Sequence, residues 1–359
     1  MKMQKKYLLI FLCLVSISCA QTRSIPGQHE DRELDVFLLI GQSNMQGVAP
    51  IGSLDTISLK NVYLFNDKNQ WEPAKNLPDN GMNRYSTVKK KPTVLFGPAY
   101  TFGRKLSSYT SRQIGLVSNA RGATRIEWWQ KGYNGENDFD LYEEAVERTK
   151  SALATRPGTK LKGIIWHQGE ADNAETRSPF YLNRLQALVT DLRKDFGDQQ
   201  ISFIAGEVGK WNDRGLGVNP EIRRIKEKIP YSDWVSSDGL TSINLGKNDP
   251  HFDNYSQRVL GGRYADKAAQ LIYNVKPEGV MVFSEADYQG RSVLLIKGSY
   301  NPTELEALGI PLHDISSLKI DPGYKLIAIT TTDTKEFVKD ARNWQSASIT
   351  RIEVKKSNE

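Results

Sequence analysis

The sequence predicts an α/β domain with a parallel sheet, followed by a small all-β region. Up to residue 275, apolar runs of strand length alternate with helical patterns. The runs are apolar at every position, as in parallel strands that are buried on both faces. From Val280 onward, short strands separated by turn residues replace this pattern. At 359 residues the chain is long enough for both parts.

The elements of the α/β part follow one another along the chain. The longest helical pattern carries leucines at spacings of three and four residues, which indicates an amphipathic helix packed on a sheet. We expect strands at residues 35–40, 113–118, 162–166 and 201–205, and helices at 97–107, 141–153, 179–196 and 257–275.

The β region begins after the helix-breaking run Lys-Pro-Glu-Gly at 276–279. Two of its segments, 315–320 and 349–354, form a faint internal repeat. This pattern predicts an α/β domain at 34–275 and a β-sandwich at 280–356. The strands are expected at 280–283, 292–296, 318–320, 326–329 and 349–354.

The first twenty residues have the organisation of an export signal. Three lysines precede a short apolar run, and small residues follow it, which is typical of a secretory signal peptide. Cleavage after Ala20 would release a soluble protein. Alternatively, Ser16–Cys19 resembles a bacterial lipobox, in which Cys19 is lipidated and the polar tether 21–33 holds the domain near a membrane. We expect the lipoprotein, in the periplasm or on the outer surface of a bacterial cell.

Composition excludes several other classes of protein. Charged residues make up 25% of the chain and hydrophobic residues 39%, as in ordinary soluble proteins. Removing the three signal lysines lowers the net charge from +6 to +3. No basic stripe with interleaved aromatic residues remains, so a nucleic-acid partner is not expected. Both cysteines, Cys13 and Cys19, lie in the signal, so no disulfide is expected in the mature chain.

A candidate nucleophile follows the first predicted strand. Ser43 lies in the segment Gly-Gln-Ser-Asn-Met at 41–45, where open α/β sheets place ligand sites. A serine hydroxyl needs a neighbouring base, most often histidine. Of the four histidines, His167 and His251 lie in dense polar segments of the α/β part. No third histidine accompanies them at ligand spacing, so no metal is expected. The sequence contains no phosphate-binding glycine loop or nucleotide motif, so no other cofactor is expected either.

Four ordered blocks of sequence resemble a known superfamily. They are Gly41–Met45, Asn119–Thr124, His167–Asp172 and Pro250–Asp253. Together they are similar to the SGNH hydrolases, specifically the sialate O-acetylesterase-like (SASA) and carbohydrate esterase family six branch, over roughly residues 34–274. The resemblance implies a flavodoxin-like three-layer fold and hydrolysis of acetyl esters on sugars.

The resemblance also implies roles for individual residues. Ser43 would be the nucleophile and His251 the general base. The oxyanion would be bound by the N–H groups of Ser43 and Gly122 and by the side chain of Gln168. Gly122 also suits this role on its own chemistry, because a backbone that approaches substrate closely favours a residue without Cβ.

The acid of the triad is the point at which the sequence departs from the family pattern. The family usually places Asp three residues before the catalytic His, and Asn248 occupies that position. Asp249 and Glu170 are the two candidates, and the sequence does not choose between them. We expect that replacing one of them, and not the other, abolishes turnover.

Neighbouring residues are candidates for other tasks. His167 is expected to position the Gln168 loop by a side-chain hydrogen bond. Trp128 and Trp129 follow the Gly122 block and form either an aromatic face for a sugar ring or part of the core. Arg125 is a candidate contact for a carboxylated sugar such as a sialic or uronic acid.

The β region resembles the βγ-crystallins, which fold as paired Greek keys. The resemblance lies in the segments 280–293, 298–300 and 314–320. Members of that family often bind Ca²⁺ through paired Asn or Asp residues, but those positions hold Leu312 and His313 here, and Ser346 and Ala347 in the second repeat. Calcium binding is therefore not expected. Sugar binding, spacing and stabilisation stay open as roles for this region.

The sequence favours an exported serine esterase that removes acetyl groups from carbohydrate such as sialic acid or xylan-type glycans. The alternative is a non-catalytic carbohydrate-binding surface protein whose SGNH scaffold has lost its activity. Asn248, at the position where the family usually has Asp, favours this alternative. A lipid esterase or thioesterase is a third possibility, and the His-Gln-Gly-Glu block at 167–170 disfavours it.

Overall fold

The computed structural model describes residues 33–135, 140–244, 247–344 and 349–359. The α/β part contains a seven-stranded sheet in which all neighbouring strands are parallel except the pair at one edge, residues 62–65 and 71–73. In spatial order the strands are β3 (Trp71–Pro73), β2 (Val62–Phe65), β4 (Gln113–Ser118), β1 (Leu34–Gly41), β5 (Lys160–His167), β6 (Ser202–Gly206) and β7 (Ser232–Val235). The predicted parallel sheet is confirmed.

Helices cover both faces of this sheet and give the three predicted layers. In β1, Phe37 and Leu39 pack into one hydrophobic cluster, while Leu38 and Ile40 pack into the other. Alternate side chains of a strand point to opposite faces, so a strand buried on both sides must be apolar throughout. The helices are α1 (Ser43–Gln46), α2 (Ala99–Leu106), α3 (Leu141–Ala154), α4 (Tyr181–Phe196), α5 (Val218–Arg223), α6 (Ile225–Lys228), α7 (Asn254–Tyr273) and α8 (Pro302–Leu308).

The two helical layers have different neighbours. Side chains of α2 and α7 share one hydrophobic cluster, and those of α3, α4, α5 and α6 share the other. The cluster of α2 and α7 continues into the C-terminal region, where Leu305 of α8 and Ile310 are fully buried with Val259 and Leu260 of α7. The C-terminal region therefore shares a hydrophobic core with the α/β part.

The C-terminal region contains two antiparallel sheets, which confirms the predicted β fold, together with helix α8, which the sequence pattern did not predict. One sheet has the order β10 (Gly298–Tyr300), β14 (Ile349–Lys356), β12 (Tyr324–Thr330), β13 (Thr334–Phe337). The other has the order β11 (Ser317–Ile320), β8 (Gly279–Phe283), β9 (Ser292–Ile296).

Several predictions concern residues outside the described part of the chain. These are the export signal at 1–20 with Cys19, the tether at 21–33 except for its last residue, and Ser346 and Ala347. Among the described residues, no helix combines the length and the apolar character needed to cross a bilayer.

Candidate active site

The nucleophile candidate is presented by a tight turn between β1 and α1. Gly41 ends β1 with a φ of +138°, and a Cβ there would lie 2.1 Å from the carbonyl oxygen of His167 on the neighbouring strand. Only glycine is compatible with both constraints. Gln42 N–H donates to the same carbonyl at 2.9 Å. Ser43 is then the first residue of α1, so its N–H has no partner within the helix.

Ser43, His251 and Asp249 form a hydrogen-bonded line. Ser43 Oγ lies 2.9 Å from His251 Nε2, and His251 Nδ1 lies 2.7 Å from Asp249 Oδ1. A carboxylate at Nδ1 holds the ring proton there, which leaves Nε2 free to accept the serine proton. The predicted pairing of Ser43 with His251 is therefore present in the structure.

The surroundings of Asp249 favour its ionised form. Asn244 Nδ2 donates to Oδ2 at 2.8 Å, and the backbone N–H of His251 donates to Oδ1 at 3.0 Å. Partial burial raises the pKa of Asp249, but these hydrogen bonds and the charge of the imidazole outweigh it and lower that pKa below the ordinary 3.8. The side chain is thus a carboxylate at neutral pH.

The structure distinguishes the two acids that the sequence left open. Asp249 contacts the imidazole, whereas Glu170 accepts a hydrogen bond from Asn44 Nδ2 at 2.5 Å. Burial raises the pKa of Glu170 to about 7. Asn248, at the family's usual acid position, binds Arg214 through its Oδ1 at 2.7 Å.

Gly122 lies beside the nucleophile, but its N–H is occupied. A Cβ at Gly122 would lie 3.4 Å from the Cβ of Ser43, so the two residues are neighbours at the site. The Gly122 N–H donates to Gln46 Oε1 at 2.6 Å. Gln46 is the last residue of α1, three residues after Ser43, so the two share one side of that helical turn. A substrate oxygen must displace the Gln46 oxygen to reach this donor.

The predicted oxyanion role of Gln168 is wrong in this geometry. Its amide nitrogen donates to the carbonyl oxygen of Thr124 at 2.9 Å and to Asp172 Oδ2 at 2.6 Å. Both hydrogens of the NH₂ group are therefore used, and the side chain is fully buried. Gln168 instead ties the loop after β5 to the loop that carries Gly122.

The aromatic face predicted for sugar binding is reduced to one residue. Trp129 is fully buried, packs edge-to-face on Trp166 at 5.4 Å and donates to Thr124 Oγ1. It is a core residue, so of the two roles left open for it the structure supports core packing and not contact with substrate. Trp128 is half-buried, and the guanidinium of the exposed Arg125 lies 5.6 Å from its ring. These two side chains remain accessible near the Gly122 loop.

His167 has a different partner from the one expected. Its Nδ1 lies 3.0 Å from the hydroxyl of Tyr264, which itself donates to the carbonyl oxygen of Trp166. The bond therefore joins β5 to α7 and does not position the Gln168 loop. Burial lowers the pKa of His167 to about 3, so the ring is neutral. Tyr181 holds the loop instead, by donating to the carbonyl oxygen of Gln168.

Sequence reasoning assigned no role to Asn44 or Gln46. Both lie in or directly after the block at 41–45, on the first turn of α1, and both are buried. Buried side-chain amides are expected to have hydrogen-bond partners, so two amide residues this close to the nucleophile were the signal that the sequence offered. Their partners come from loops far along the chain, however, which a single sequence does not reveal.

Comparison with known proteins decides the family. A family model described as carbohydrate esterase, sialic acid-specific acetylesterase (SASA), matches residues 33–270. The chain belongs to this family. The predicted resemblance to the SGNH and SASA esterases is thereby confirmed.

Individual relatives of the chain agree with this family. A probable carbohydrate esterase of Arabidopsis thaliana is 24% identical over 249 residues, which cover 63% of this chain and 86% of that protein. Its crystal structure, at 23% identity, covers 67% of this chain and 99% of its own, with a TM-score of 0.57. A carbohydrate acetylesterase of Xanthomonas citri covers 90% of this chain and 72% of its own at 17% identity, with a TM-score of 0.50. At these identities the structures support the fold.

A short part of the chain has a relative of a different kind. Development-specific protein S of Myxococcus xanthus is 46% identical to this chain over 48 residues, which are 13% of this chain and 28% of that protein. This match agrees with the βγ-crystallin-like region predicted from the sequence.

Proposed function

We propose that this protein is a serine esterase that removes O-acetyl groups from carbohydrate. The observation that carries the proposal is the line from Ser43 Oγ through His251 to Asp249, with bonds of 2.9 and 2.7 Å. Membership of a carbohydrate esterase family supports the acetylated sugar as substrate. The runner-up, a non-catalytic binding protein, relied on Asn248, and Asp249 at the imidazole removes that reason.

The reaction has two steps. Ser43 Oγ attacks the acetyl carbonyl carbon while His251 Nε2 takes the hydroxyl proton, and the imidazolium then gives that proton to the departing sugar oxygen. This leaves an acetyl-serine. Water, deprotonated by the same imidazole, attacks the ester, and acetate leaves as Ser43 regains its proton. The carboxylate of Asp249 stabilises the imidazolium in both steps.

Charge that develops on the acetyl oxygen needs donors. The N–H of Ser43 has no helical partner, and the N–H of Gly122 becomes available when Gln46 Oε1 is displaced. One such donor typically contributes ~3 kcal/mol to transition-state stabilisation. Of the three donors that the family resemblance implied, the two backbone N–H groups therefore remain, without the Gln168 side chain.

A substrate panel tests this function. Acetate release from acetylated sialic acid, acetylated xylan and a small aryl acetate should exceed hydrolysis of longer acyl esters, and Ser43→Ala should abolish it. Faster hydrolysis of long acyl chains would favour a lipid esterase or thioesterase. Equal, negligible rates for wild type and Ser43→Ala would favour the binding protein.

We also propose that the protein is exported and anchored through a lipid on Cys19. The basic start, short apolar run and lipobox-like Ser16–Cys19 support this location. Cys19→Ala should move the esterase from the membrane fraction to the soluble fraction. An unchanged membrane fraction, or a mature N-terminus beyond Ala20, would refute the anchor.

A further inference from the structure

Asn44 links the nucleophile turn to both sides of the catalytic histidine. Its Nδ2 donates to the carbonyl oxygen of Pro250 at 3.0 Å, and its Oδ1 accepts from the N–H of Phe252 at 3.1 Å. These residues flank His251 directly. Because Asn44 also follows Ser43 in the chain, one buried amide fixes the backbone of the base relative to the nucleophile.

The orientation of this amide is determined by its neighbours. The N–H of Phe252 and Nε2 of Gln257, both donors, face Oδ1 at 3.1 Å each, so the oxygen must point to them. The NH₂ group then carries two hydrogens, one for Pro250 and one for Glu170. Asn44 is fully buried, so without Glu170 the second hydrogen would have no partner, at a free-energy cost that destabilises this orientation.

Glu170 contacts Asn44 and contacts none of Ser43, His251 and Asp249. Its Oε1 accepts from Asn44 and lies 3.8 Å from His167 Nε2, while Oε2 has no hydrogen-bond partner among the described residues. His167 donates through Nδ1 to Tyr264, so its Nε2 is an unprotonated acceptor. The other charged groups that act on Glu170 are Asp172 and Arg214.

We propose that Glu170 is a positioning residue that acts through Asn44, by accepting the amide hydrogen that keeps Asn44 bonded on both sides of His251. The inference rests on the proposed function, because it concerns the placement of the catalytic base. It requires an acceptor oxygen at position 170 and no negative charge, since Glu170 itself touches neither Ser43 nor His251.

The decisive comparison is Glu170→Gln with Glu170→Met, two side chains of similar length. Gln keeps a carbonyl oxygen for Asn44, so kcat on an aryl acetate should stay within about threefold of wild type. Met has no such acceptor, and a base displaced by about 1 Å costs up to ~10²-fold. We expect kcat to fall at least tenfold in Glu170→Met while KM changes little, because no substrate contact is lost.

A double-mutant cycle tests the route of the effect. If Glu170 acts through Asn44, Glu170→Met should cost nothing further in an Asn44→Ala background. A merely structural contribution would not produce this non-additivity. Thermal unfolding of each variant identifies losses that come from unfolding, and Glu170→Gln, which preserves shape, keeps the test decisive if Glu170→Met does not fold.

Two results would overturn the inference. One is a double variant whose fold-loss in kcat equals the product of the two single-variant losses, as for independent effects. The other is a Glu170→Gln variant as inactive as Glu170→Met, which would mean that the carboxyl group itself takes part in the chemistry. Covalent labelling of Ser43 by an organophosphonate reports serine activation for any acyl substrate. Absence of labelling in the wild type would contradict the proposed function, and the positioning role with it. If the variants are still labelled at Ser43 but their losses in kcat are independent, only the positioning role is overturned.

Discussion

Replacing Asp249 by Asn removes the charge that faces the imidazole of His251 and keeps the shape of the side chain. The new amide must serve three donors with only one oxygen: Nδ1–H and the backbone N–H of His251 on one side, and Asn244 Nδ2 on the other. If its NH₂ group faces His251, the ring carries its proton on Nε2 instead. Nε2 would then donate towards Ser43 and no longer accept the serine proton.

The magnitude follows from the geometry. A carboxylate and an imidazolium about 4 Å apart attract each other by about 4 kcal/mol at an effective dielectric constant of about 20. The Asp249 side chain is 23% exposed, so water screens part of this attraction. At roughly 1.4 kcal/mol per factor of ten, the charge alone predicts a loss of ~10²–10³-fold in kcat, and the wrong tautomer increases it.

The assay is kcat for aryl acetate hydrolysis near neutral pH, with Asn248→Ala as the matched control. Asn248 is the adjacent residue and binds Arg214, so its loss should change kcat by less than about threefold. An Asp249→Asn variant within tenfold of wild type would refute this reasoning. Equal losses from the two variants would refute it as well, because they would point to a general disturbance of the loop.

Three further predictions follow from individual contacts. Gln46→Ala should free the Gly122 N–H and raise kcat/KM about fivefold, the equivalent of one hydrogen bond of about 1 kcal/mol; a decrease would show that Gln46 assists catalysis. Trp129→Ala should lower the free energy of unfolding, measured in denaturant, by about 3–5 kcal/mol. Trp128→Ala should lower it by much less, because of the two only Trp129 is fully buried. Equal losses of stability would contradict the place of Trp129 in the core. Burial raises the pKa of Glu170 from 4.5 to about 7, so the folded protein holds a proton that the unfolded chain releases between those values. The free energy of unfolding of wild type relative to Glu170→Gln should therefore fall from pH 5 to pH 8, by on the order of 3 kcal/mol in total, and a flat difference would refute the shift.

Much of the fold was predictable because buried parallel strands and amphipathic helices have strong patterns. β1, β4, β5, β6 and α4 were all predicted within a few residues. β7, with the sequence Ser-Asp-Trp-Val, was not predicted, because an edge strand lacks the continuous apolar run of a central one. α8 was missed although Asn301 and Glu304 form a capping box around Pro302, a signal that the sequence does contain.

The site was predictable where chemistry is local and not where it depends on distant contacts. Ser43 lies just after a predicted strand, and the family resemblance selects His251 from the two histidines that lie in polar segments. Which carboxyl group meets the imidazole depends on side-chain directions, and Glu170 meets Asn44 across 126 positions of sequence. Trp128 and Trp129 are adjacent and differ only in which way they point, which periodicity does not determine in a 3-10 turn.

The central claim is that Ser43, activated by His251 and Asp249, carries the acetyl group between the two steps. Rapid quenching with an acetylated substrate, followed by peptide mass spectrometry, tests it most directly. The account predicts an acetyl group on Ser43 within the peptide that contains residues 41–46, and its disappearance together with acetate release in Ser43→Ala. Acetate release by Ser43→Ala at the wild-type rate, or an acetyl group on another residue, would contradict the account.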